Sequence, residues 1–284
     1  MISQKVLTQY LEHNMNVLLE GRHGVGKTAL IHKTFTDAGY KYLYFSASTL
    51  DPWVDVVGIP SRTKSPTGDY VELIPPKFVL DDDVDAIFFD ELNRADKKVL
   101  NAVMELIQFK SINGRKLNKL KIVWGAINPP DEDETYAVTE MDPAQLDRFP
   151  VTIKVPYEPD IKYFQKYGKI GTIFCDWWNA LPDEVKDDVS PRRLEYALNA
   201  YEKNLPLMHI LPKKSNINKL KSALETVSYG DKMVELMIDR VAAAKALKNP
   251  NFVDHILSKK DSGPEKVFMN SMKLVFQKIQ FKQL

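Results

Sequence analysis

The sequence predicts an α/β fold built on a five-stranded parallel sheet, followed by a region made of helices. Short apolar runs alternate with helical patterns over the first half of the 284 residues, which is typical of a parallel sheet covered by helices. A glycine-rich turn joins the first apolar run to a helical pattern. After Pro156–Pro159 only helical patterns remain. We therefore expect two domains, at residues 1–157 and 158–284.

Each predicted element rests on its own pattern. The runs that resemble buried strands are Val17–Leu19, Tyr42–Ser46, Ala86–Phe89, Ile122–Ala126 and Val151–Val155. One helix should begin near Lys27 and reach about Ala38, because Gly39 favours a helix end. Another should follow Asp96, where apolar residues recur at helical spacing. In the second region a break is expected at Gly168, and the predicted helices are Ile161–Lys169, Arg192–Asn204, Asn216–Val227, Lys232–Lys248 and Glu265–Phe281.

The overall composition is that of an ordinary globular protein. Hydrophobic residues make up 44% and charged residues 27% of the chain, and the net charge is +1. This charge gives no general case for binding nucleic acid or anionic membranes. The single cysteine, Cys175, lies among apolar residues and is expected to be a buried thiol. Since no signal peptide or membrane span is recognisable, the sequence predicts a cytoplasmic protein.

Residues 21–28 read GRHGVGKT and fit the phosphate-binding pattern G-x-x-x-x-G-K-[ST] in full. Gly21, Gly24 and Gly26 let the backbone turn its N–H groups towards phosphate oxygens. Lys27 is expected to reach the β- and γ-phosphates at the start of the helix. The hydroxyl of Thr28 is a predicted magnesium ligand.

Three neighbouring residues complete the predicted nucleotide-binding segment, namely His23, Val25 and Ala29. His23 occupies a variable position of the pattern. Its side chain either touches the nucleotide or is simply tolerated there.

The run AIFFDE at residues 86–91 ends a predicted buried strand in two carboxylates. Ligand sites in parallel sheets form at the carboxyl ends of the strands. Asp90 is predicted to hold Mg²⁺ through a water, and Glu91 to orient and polarise the attacking water. Since the sequence contains no guanine-specifying N-K-x-D segment, we expect the cofactors to be ATP and Mg²⁺.

With these motifs placed, residues 90–109 and 124–149 closely resemble the MoxR family of AAA+ ATPases. The shared features are the segments DELNRA, AINP and AQLDRF. The resemblance implies a P-loop AAA+ core followed by an α-helical lid domain. It also implies a ring-shaped homo-oligomer, usually a hexamer, that remodels or activates a protein partner. In this family that partner commonly carries a von Willebrand factor A domain.

The resemblance also assigns three further site residues. Asn128 corresponds to the sensor 1 residue, and Arg148 to the arginine finger inserted into a neighbouring subunit. Arg192 corresponds to the sensor 2 arginine of the lid, although Arg193 is adjacent. An alternative for Arg148 is a surface pair with Asp147 or Asp142. The sequence gives no chemical role to Asn93 or Arg94.

Two segments of the core are expected to form hairpins. The long connection Leu50–Asp83 corresponds to the helix-2 insert of this clade, which usually forms a hairpin facing the ring channel. Asn113-Gly114 is a favourable two-residue turn for a second hairpin. Basic residues flank it at Lys110, Arg115, Lys116, Lys119 and Lys121. They indicate either a solvated edge or a surface for an acidic partner or nucleic acid.

The sequence leaves two other functions open. The chain could be a nucleic-acid motor or a subunit of a restriction-type defence system, for which the basic hairpin is the support. It could also be a nucleotide-gated scaffold that hydrolyses little ATP. The presence of Glu91 argues against the scaffold, because this residue type is the one needed for turnover.

Overall fold

The computed structural model describes residues 4–129 and 141–225. Its strands, in chain order, are β1 (Val17–Glu20), β2 (Tyr42–Ser46), β3 (Ile59–Thr63), β4 (Tyr70–Ile74), β5 (Ala86–Asp90), β6 (Ser111–Ile112), β7 (Arg115–Lys116), β8 (Ile122–Ile127) and β9 (Val151–Lys154).

The α-helices of these residues are α1 (Gln4–Glu12), α2 (Lys27–Asp37), α3 (Lys77–Asp81), α4 (Lys97–Phe109), α5 (Pro143–Leu146), α6 (Ile161–Phe164), α7 (Gly168–Asn179), α8 (Asp183–Lys186) and α9 (Pro191–Glu202). Residues 217–225 are also helical. None of these helices combines the length and the apolar content needed to cross a membrane.

The central sheet has the order β2-β5-β8-β1-β9, and all of its neighbouring pairs are parallel. The predicted five-stranded parallel sheet is therefore confirmed, and each strand ends within one residue of its expected position. Neighbours in space are not neighbours in sequence. The chain must cross over between parallel strands, and helices make most of these crossings.

Strand β5 explains how the sheet is buried on both faces. All five of its residues are buried. Ile87 and Phe89 pack into one apolar cluster with α4, while Ala86 and Phe88 pack into another with α2. Because successive side chains of a strand point to opposite faces, a continuous apolar run is what a doubly covered strand requires.

The two helices that flank the site begin and end at clear signals. Helix α2 follows Gly26, which has a left-handed φ of 89°, and Gly39 with φ 70° lies just beyond its end. Helix α4 is capped by Asp96, whose carboxylate accepts a hydrogen bond of 2.8 Å from the N–H of Lys98. These boundaries agree with the sequence predictions.

The long connection between β2 and β5 contains the expected hairpin. Strands β3 and β4 pair antiparallel, with Ile59 opposite Ile74 and Thr63 opposite Tyr70. A helical turn at Pro52–Val57 precedes the hairpin, and α3 follows it.

The second predicted hairpin is formed by β6 and β7. Asn113 and Gly114 have φ values of 49° and 75°, as a two-residue hairpin turn requires. The carboxylate of Glu105 on α4 accepts hydrogen bonds from the Ser111 hydroxyl and from the N–H groups of both turn residues. The turn is therefore fastened to the end of α4.

The described residues group into two compact units. The first comprises those of Met1–Asp160 and Asp187–Tyr196, and the second comprises those of Ile161–Lys186 and of the chain from Ala197 onward. The boundary between two domains that the sequence predicts after residue 157 stays a prediction.

In the second unit, α7 and the short α8 (Asp183–Lys186) were not expected from the sequence. The helix predicted at Ile161–Lys169 is wrong in extent, because α6 ends at Phe164, a 3-10 turn follows at Gln165–Tyr167, and α7 begins at Gly168 and runs to Asn179. Gly168 has φ 61°, a conformation that suits glycine and permits the sharp junction. Cys175 on α7 is buried, as expected. The helices predicted at Lys232–Lys248 and Glu265–Phe281 lie outside the described residues.

Candidate active site

The candidate site lies where β1, β5 and β8 end at the same edge of the sheet. The glycine-rich loop starts there, and the N–H of Gly21 donates a 3.2 Å hydrogen bond to the carbonyl of Ile127 at the end of β8. Asp90 is the last residue of β5. The parallel sheet thus brings the two sequence motifs together, although the chain between them forms three other strands (β2, β3 and β4) and two helices (α2 and α3).

Glycine is required in the loop for two different reasons. Gly24 and Gly26 have φ values of 76° and 89°, which side chains disfavour. Space is the second reason, because a Cβ on Gly21 would lie 2.9 Å from the carbonyl oxygen of Val155. A Cβ on Gly24 would lie 2.8 Å from the Ser190 hydroxyl.

Lys27 is buried and its ammonium group is held by three acceptors. Nζ donates to the carbonyl oxygens of Gly21 and Arg22 at 2.5 and 3.0 Å, and to Oδ1 of Asn128 at 2.9 Å. Burial lowers the pKa of Lys27 to about 8, because a desolvated ammonium is less stable. The Asp90 carboxylate opposes this shift, and the Arg192 charge adds to it.

Thr28 and Asp90 form the second contact of the site. The Thr28 hydroxyl donates a 2.5 Å hydrogen bond to Oδ2 of Asp90. A hydroxyl and a carboxylate at this separation are oxygen ligands of the kind that Mg²⁺ prefers, and Mg²⁺ keeps several of its waters. The pair therefore has the oxygen donors that a magnesium ion would need, and the predicted roles of Thr28 as a ligand and of Asp90 acting through a water stay predictions.

Glu91 follows Asp90 in a left-handed conformation, with φ 53°. This backbone turn directs the two adjacent carboxylates differently. Oε2 of Glu91 accepts a 3.1 Å hydrogen bond from the Ser48 hydroxyl, and Oε1 lies 3.4 Å from the Arg94 guanidinium. Glu91 is thereby held by Ser48, from the turn after β2, and by Arg94, three residues further along the chain.

Asn93 proves to be the partner that fixes Asn128. Its side-chain amide donates a 2.7 Å hydrogen bond to the Asn128 carbonyl, and its Oδ1 accepts from the Asn128 N–H at 3.4 Å. Asn93 is only 4% exposed. Sequence reasoning gave it no role, because its partner lies 35 residues further along the chain and no local pattern connects them.

Tyr44 is another site residue that the sequence analysis missed. Its ring lies against Phe88 at 5.6 Å between centroids, and its hydroxyl is near enough to Asp90 to feel the charge of that carboxylate. Burial raises the pKa of Tyr44, and the negative charges of Asp90 and Glu91 raise it further. A signal existed, since β2 ends in hydroxyl-bearing residues and parallel strands end at one edge. The pairing of β2 with β5 was not deducible from the sequence.

Arg148 lies away from this cluster, beside the end of α4. Its Nε donates to the side chain of Gln108 at 3.2 Å, and its Nη1 donates to the carbonyl of Ala144 at 3.1 Å. It also lines a shallow cavity with Asn101, Met104, Glu105, Phe109, Asp142 and Gln145. The alternative in which Arg148 pairs with Asp147 or Asp142 is not what the structure contains.

Arg192 lies against the phosphate loop at the start of α9. Its N–H donates a 2.9 Å hydrogen bond to the carbonyl of Gly24. Its charge also contributes to the lowered pKa of Lys27. The side chain of Arg193 instead donates to the carbonyl of Asp188 at 3.3 Å. Of the two candidates, Arg192 is therefore the one brought near the lysine.

The three other predicted nucleotide-contacting residues differ in their exposure to solvent. His23 and Ala29 are exposed, and Val25 is partly buried. Their assignment as nucleotide-contacting residues stays a prediction.

The comparison with known families adds the decisive observation. Residues 16–151 match the model of the ATPase family associated with various cellular activities (AAA). This range is an AAA ATPase domain of the MoxR type. The family predicted from the motifs is thus confirmed over these residues. The AAA ATPase domain includes the phosphate loop, both carboxylates, Asn128 and Arg148.

Solved structures resemble the chain more distantly. A candidate ATPase from Cytophaga hutchinsonii is 22% identical with a TM-score of 0.38, and the match covers 54% of this chain and 45% of that one. NtrX from Brucella abortus, in complex with ATP, is 12% identical with a TM-score of 0.46, covering 77% and 54%. A RuvB mutant from Thermotoga maritima is 14% identical with a TM-score of 0.43, covering 87% and 82%.

The chain therefore spans about half the length of the first two of these proteins. With TM-scores below 0.5, the three likenesses say nothing about the ligands or partners of this chain. No curated protein matches it. The AAA ATPase domain establishes the class of chemistry, since members of the family hydrolyse ATP, typically with magnesium, and often oligomerise.

Proposed function

We propose that the chain is a Mg-ATP-dependent AAA+ ATPase of the MoxR type that works as a ring and remodels or activates a protein partner. One observation carries the proposal. Lys27, Thr28, Asp90, Glu91 and Asn128 converge at one edge of the sheet, whereas Arg148 lies apart from them. The cluster has every group that phosphate binding and water activation need, except a cation to offset transition-state charge from the opposite side.

In this proposal, each residue of the cluster has a separate task. Loop N–H groups and Lys27 bind the phosphates, and the Thr28–Asp90 pair holds magnesium. A bound magnesium ion supplies positive charge that offsets the phosphate oxygens. Glu91 orients and polarises the attacking water. Asn128 is held by Asn93 and contacts the γ-phosphate or the water.

The position of Arg148 supports a ring. Its partners within the described residues are a neutral amide and a carbonyl, so its charge is available to a second molecule. An arginine that completes the site of a neighbour requires a head-to-tail contact, and such contacts close into rings. The resemblance implies six subunits and a partner that commonly has a von Willebrand factor A domain.

The basic edge near the second hairpin favours a protein partner over nucleic acid. Arg115 lies 3.5 Å from Glu72, and Lys121 lies 2.9 Å from Asp85. Lys110 is partly buried and donates to the side chain of Asn16 at 3.1 Å. Three of the five basic residues are thus already engaged. A nucleic-acid motor would instead need free cations along this edge.

The test is ATP hydrolysis per subunit, measured over a wide range of protein concentration for wild type and Arg148→Ala. We expect the wild-type specific activity to rise with concentration. The variant should lose on the order of 10³-fold at all concentrations, as is typical for a removed arginine finger. Arg62→Ala, which removes a surface arginine on the exposed hairpin, is the matched control and should behave as wild type.

Two results would count against the proposal. Specific activity that is independent of concentration and of Arg148 would mean that each chain hydrolyses ATP alone. Turnover that DNA stimulates, but no protein partner does, would favour the nucleic-acid motor.

A further inference from the structure

Arg22 occupies a position of the phosphate loop at which the binding pattern accepts any residue, yet its side chain is tightly engaged. Its guanidinium lies 4.2 Å from the centre of the Tyr157 ring, and its Nη1 lies 2.6 Å from Oδ1 of Asp187. The Tyr157 hydroxyl donates a 3.3 Å hydrogen bond to the Asp187 carbonyl. The three residues form a closed cluster, which we name the Arg22 brace.

The brace lies at one end of a short segment whose other end also contacts the loop. Further along this segment, the N–H of Arg192 donates to the carbonyl of Gly24 at 2.9 Å. Between them, the Ser190 hydroxyl lies so close to Gly24 that a Cβ there would be 2.8 Å from it. Residues 187–192 therefore contact the phosphate loop at both ends, and the Arg22 contact depends on a side chain of the loop.

The chemistry of phosphate binding does not explain Arg22. Loop N–H groups and Lys27 bind the phosphates, whereas the Arg22 guanidinium stacks on an aromatic ring and pairs with a carboxylate. Arginine suits both contacts at once, because its planar cation stacks and forms directional hydrogen bonds. Its geometry is that of a residue that fixes the position of another segment.

We propose that Arg22 is a positioning residue that, with Tyr157 and Asp187, holds residues 187–192 against the phosphate loop so that Arg192 faces the γ-phosphate. The inference rests on the proposed function, because it assumes that nucleotide binds at the loop. The Arg22–Asp187 pair is partly exposed, with side-chain accessibilities of 31% and 59%. Pairs of this kind change an equilibrium by about two- to fivefold.

The experiment is a double-mutant cycle read as the preference for ATP over ADP. Dissociation constants of magnesium complexes of ADP and of a non-hydrolysable ATP analogue are measured for each variant. Arg192→Ala should lower the preference about tenfold or more, since it removes a charged contact to the γ-phosphate only. Asp187→Asn and Arg22→Gln should each lower it about two- to fivefold, and neither should lower it further once Arg192 is alanine.

Asp183→Asn is the matched control, because it removes one negative charge and an ion pair of 3.1 Å with Lys186 in a different part of the chain. Its preference for ATP should equal that of the wild type. Asp187 is exposed, so Asp187→Asn should fold, and thermal unfolding checks this.

Two outcomes would overturn the inference while leaving ATP binding intact. In the first, Asp187→Asn weakens both nucleotides equally, as the loss of a merely structural contact would do. In the second, its effect on the preference persists unchanged in the Arg192→Ala background, so that the two residues act independently. If the wild type binds neither nucleotide, the proposed function itself fails and the inference fails with it.

Discussion

The phosphate loop and the surface around Arg148 differ in how completely their charged groups are satisfied. At the loop, Lys27 is buried among three acceptors and Thr28 donates to Asp90. Arg148 is less deeply placed and contacts only a neutral amide and a carbonyl among the described residues. A buried cation needs its partners within the same domain. A cation that acts on another molecule must have no carboxylate partner in its own domain. Arg148 fits this condition among the described residues, whereas Lys27 does not need to.

The strongest test of this difference is to place a Glu91 substitution and an Arg148 substitution on different subunits of one ring. Glu91→Gln and Arg148→Ala should each lose hydrolysis by about 10²-fold or more, on the order expected for a general base or an arginine finger. If Arg148 acts on a neighbour, an equimolar mixture should regain about one quarter of the wild-type activity. In random rings, that is the share of interfaces joining an intact Glu91 to an intact Arg148.

A mixture of Glu91→Gln with Lys27→Ala is the matched control for this complementation. Both of these lesions lie in the same nucleotide site, so no interface in the mixed ring is complete and activity should stay absent. Continued inactivity of the Glu91→Gln and Arg148→Ala mixture, in samples shown to exchange subunits, would mean that Arg148 serves its own chain.

The burial of Lys27 predicts how nucleotide affinity depends on pH. With a pKa of about 8 in the free protein, the lysine is protonated below that pH and loses its charge above it. Bound phosphates favour the charged form, so ATP binding raises this pKa and takes up a proton at alkaline pH. Affinity should be nearly constant below a pH of about 8 and weaken about tenfold per pH unit above it, until the pKa of the complex is reached.

Calorimetry from a pH of about 7 to about 9.5, in buffers with different ionisation enthalpies, measures the affinity and the proton uptake together. Lys27→Arg provides the control, because a guanidinium stays charged over this range. Its affinity is expected to be lower, but its pH profile should be flat. If the affinity of the wild type did not change with pH, Lys27 would be fully charged before ATP binds. Burial would then not distinguish the charge of Lys27 from that of Arg148.

Only some of the residues of the site could be predicted from the sequence. The loop, Asp90 and Glu91 were predicted because each lies in a continuous motif at the end of an apolar run. Asn93 and Tyr44 were not, because their partners are fixed by the strand order. Only the pairing of β2 with β5 brings Tyr44 to Asp90. The Arg22–Asp187 contact spans 165 residues, and neither residue belongs to a motif that points to the other.

The smallest expected effect is that of a Tyr44 substitution on the Mg²⁺ dependence of ATP hydrolysis. Tyr44→Phe removes the hydroxyl near Asp90 and keeps the ring against Phe88. Asp90 would lose a polar neighbour, so the Mg²⁺ concentration for half-maximal hydrolysis should rise about fivefold, as expected for a polar interaction of about 1 kcal/mol. Tyr42→Phe is the matched control. Tyr42 lies on the same strand as Tyr44, but its hydroxyl lies 2.7 Å from His32 of α2. Equal Mg²⁺ dependence in the two variants would place Tyr44 outside the metal site and leave Asp90 oriented by the Thr28 hydroxyl and the Glu91 N–H.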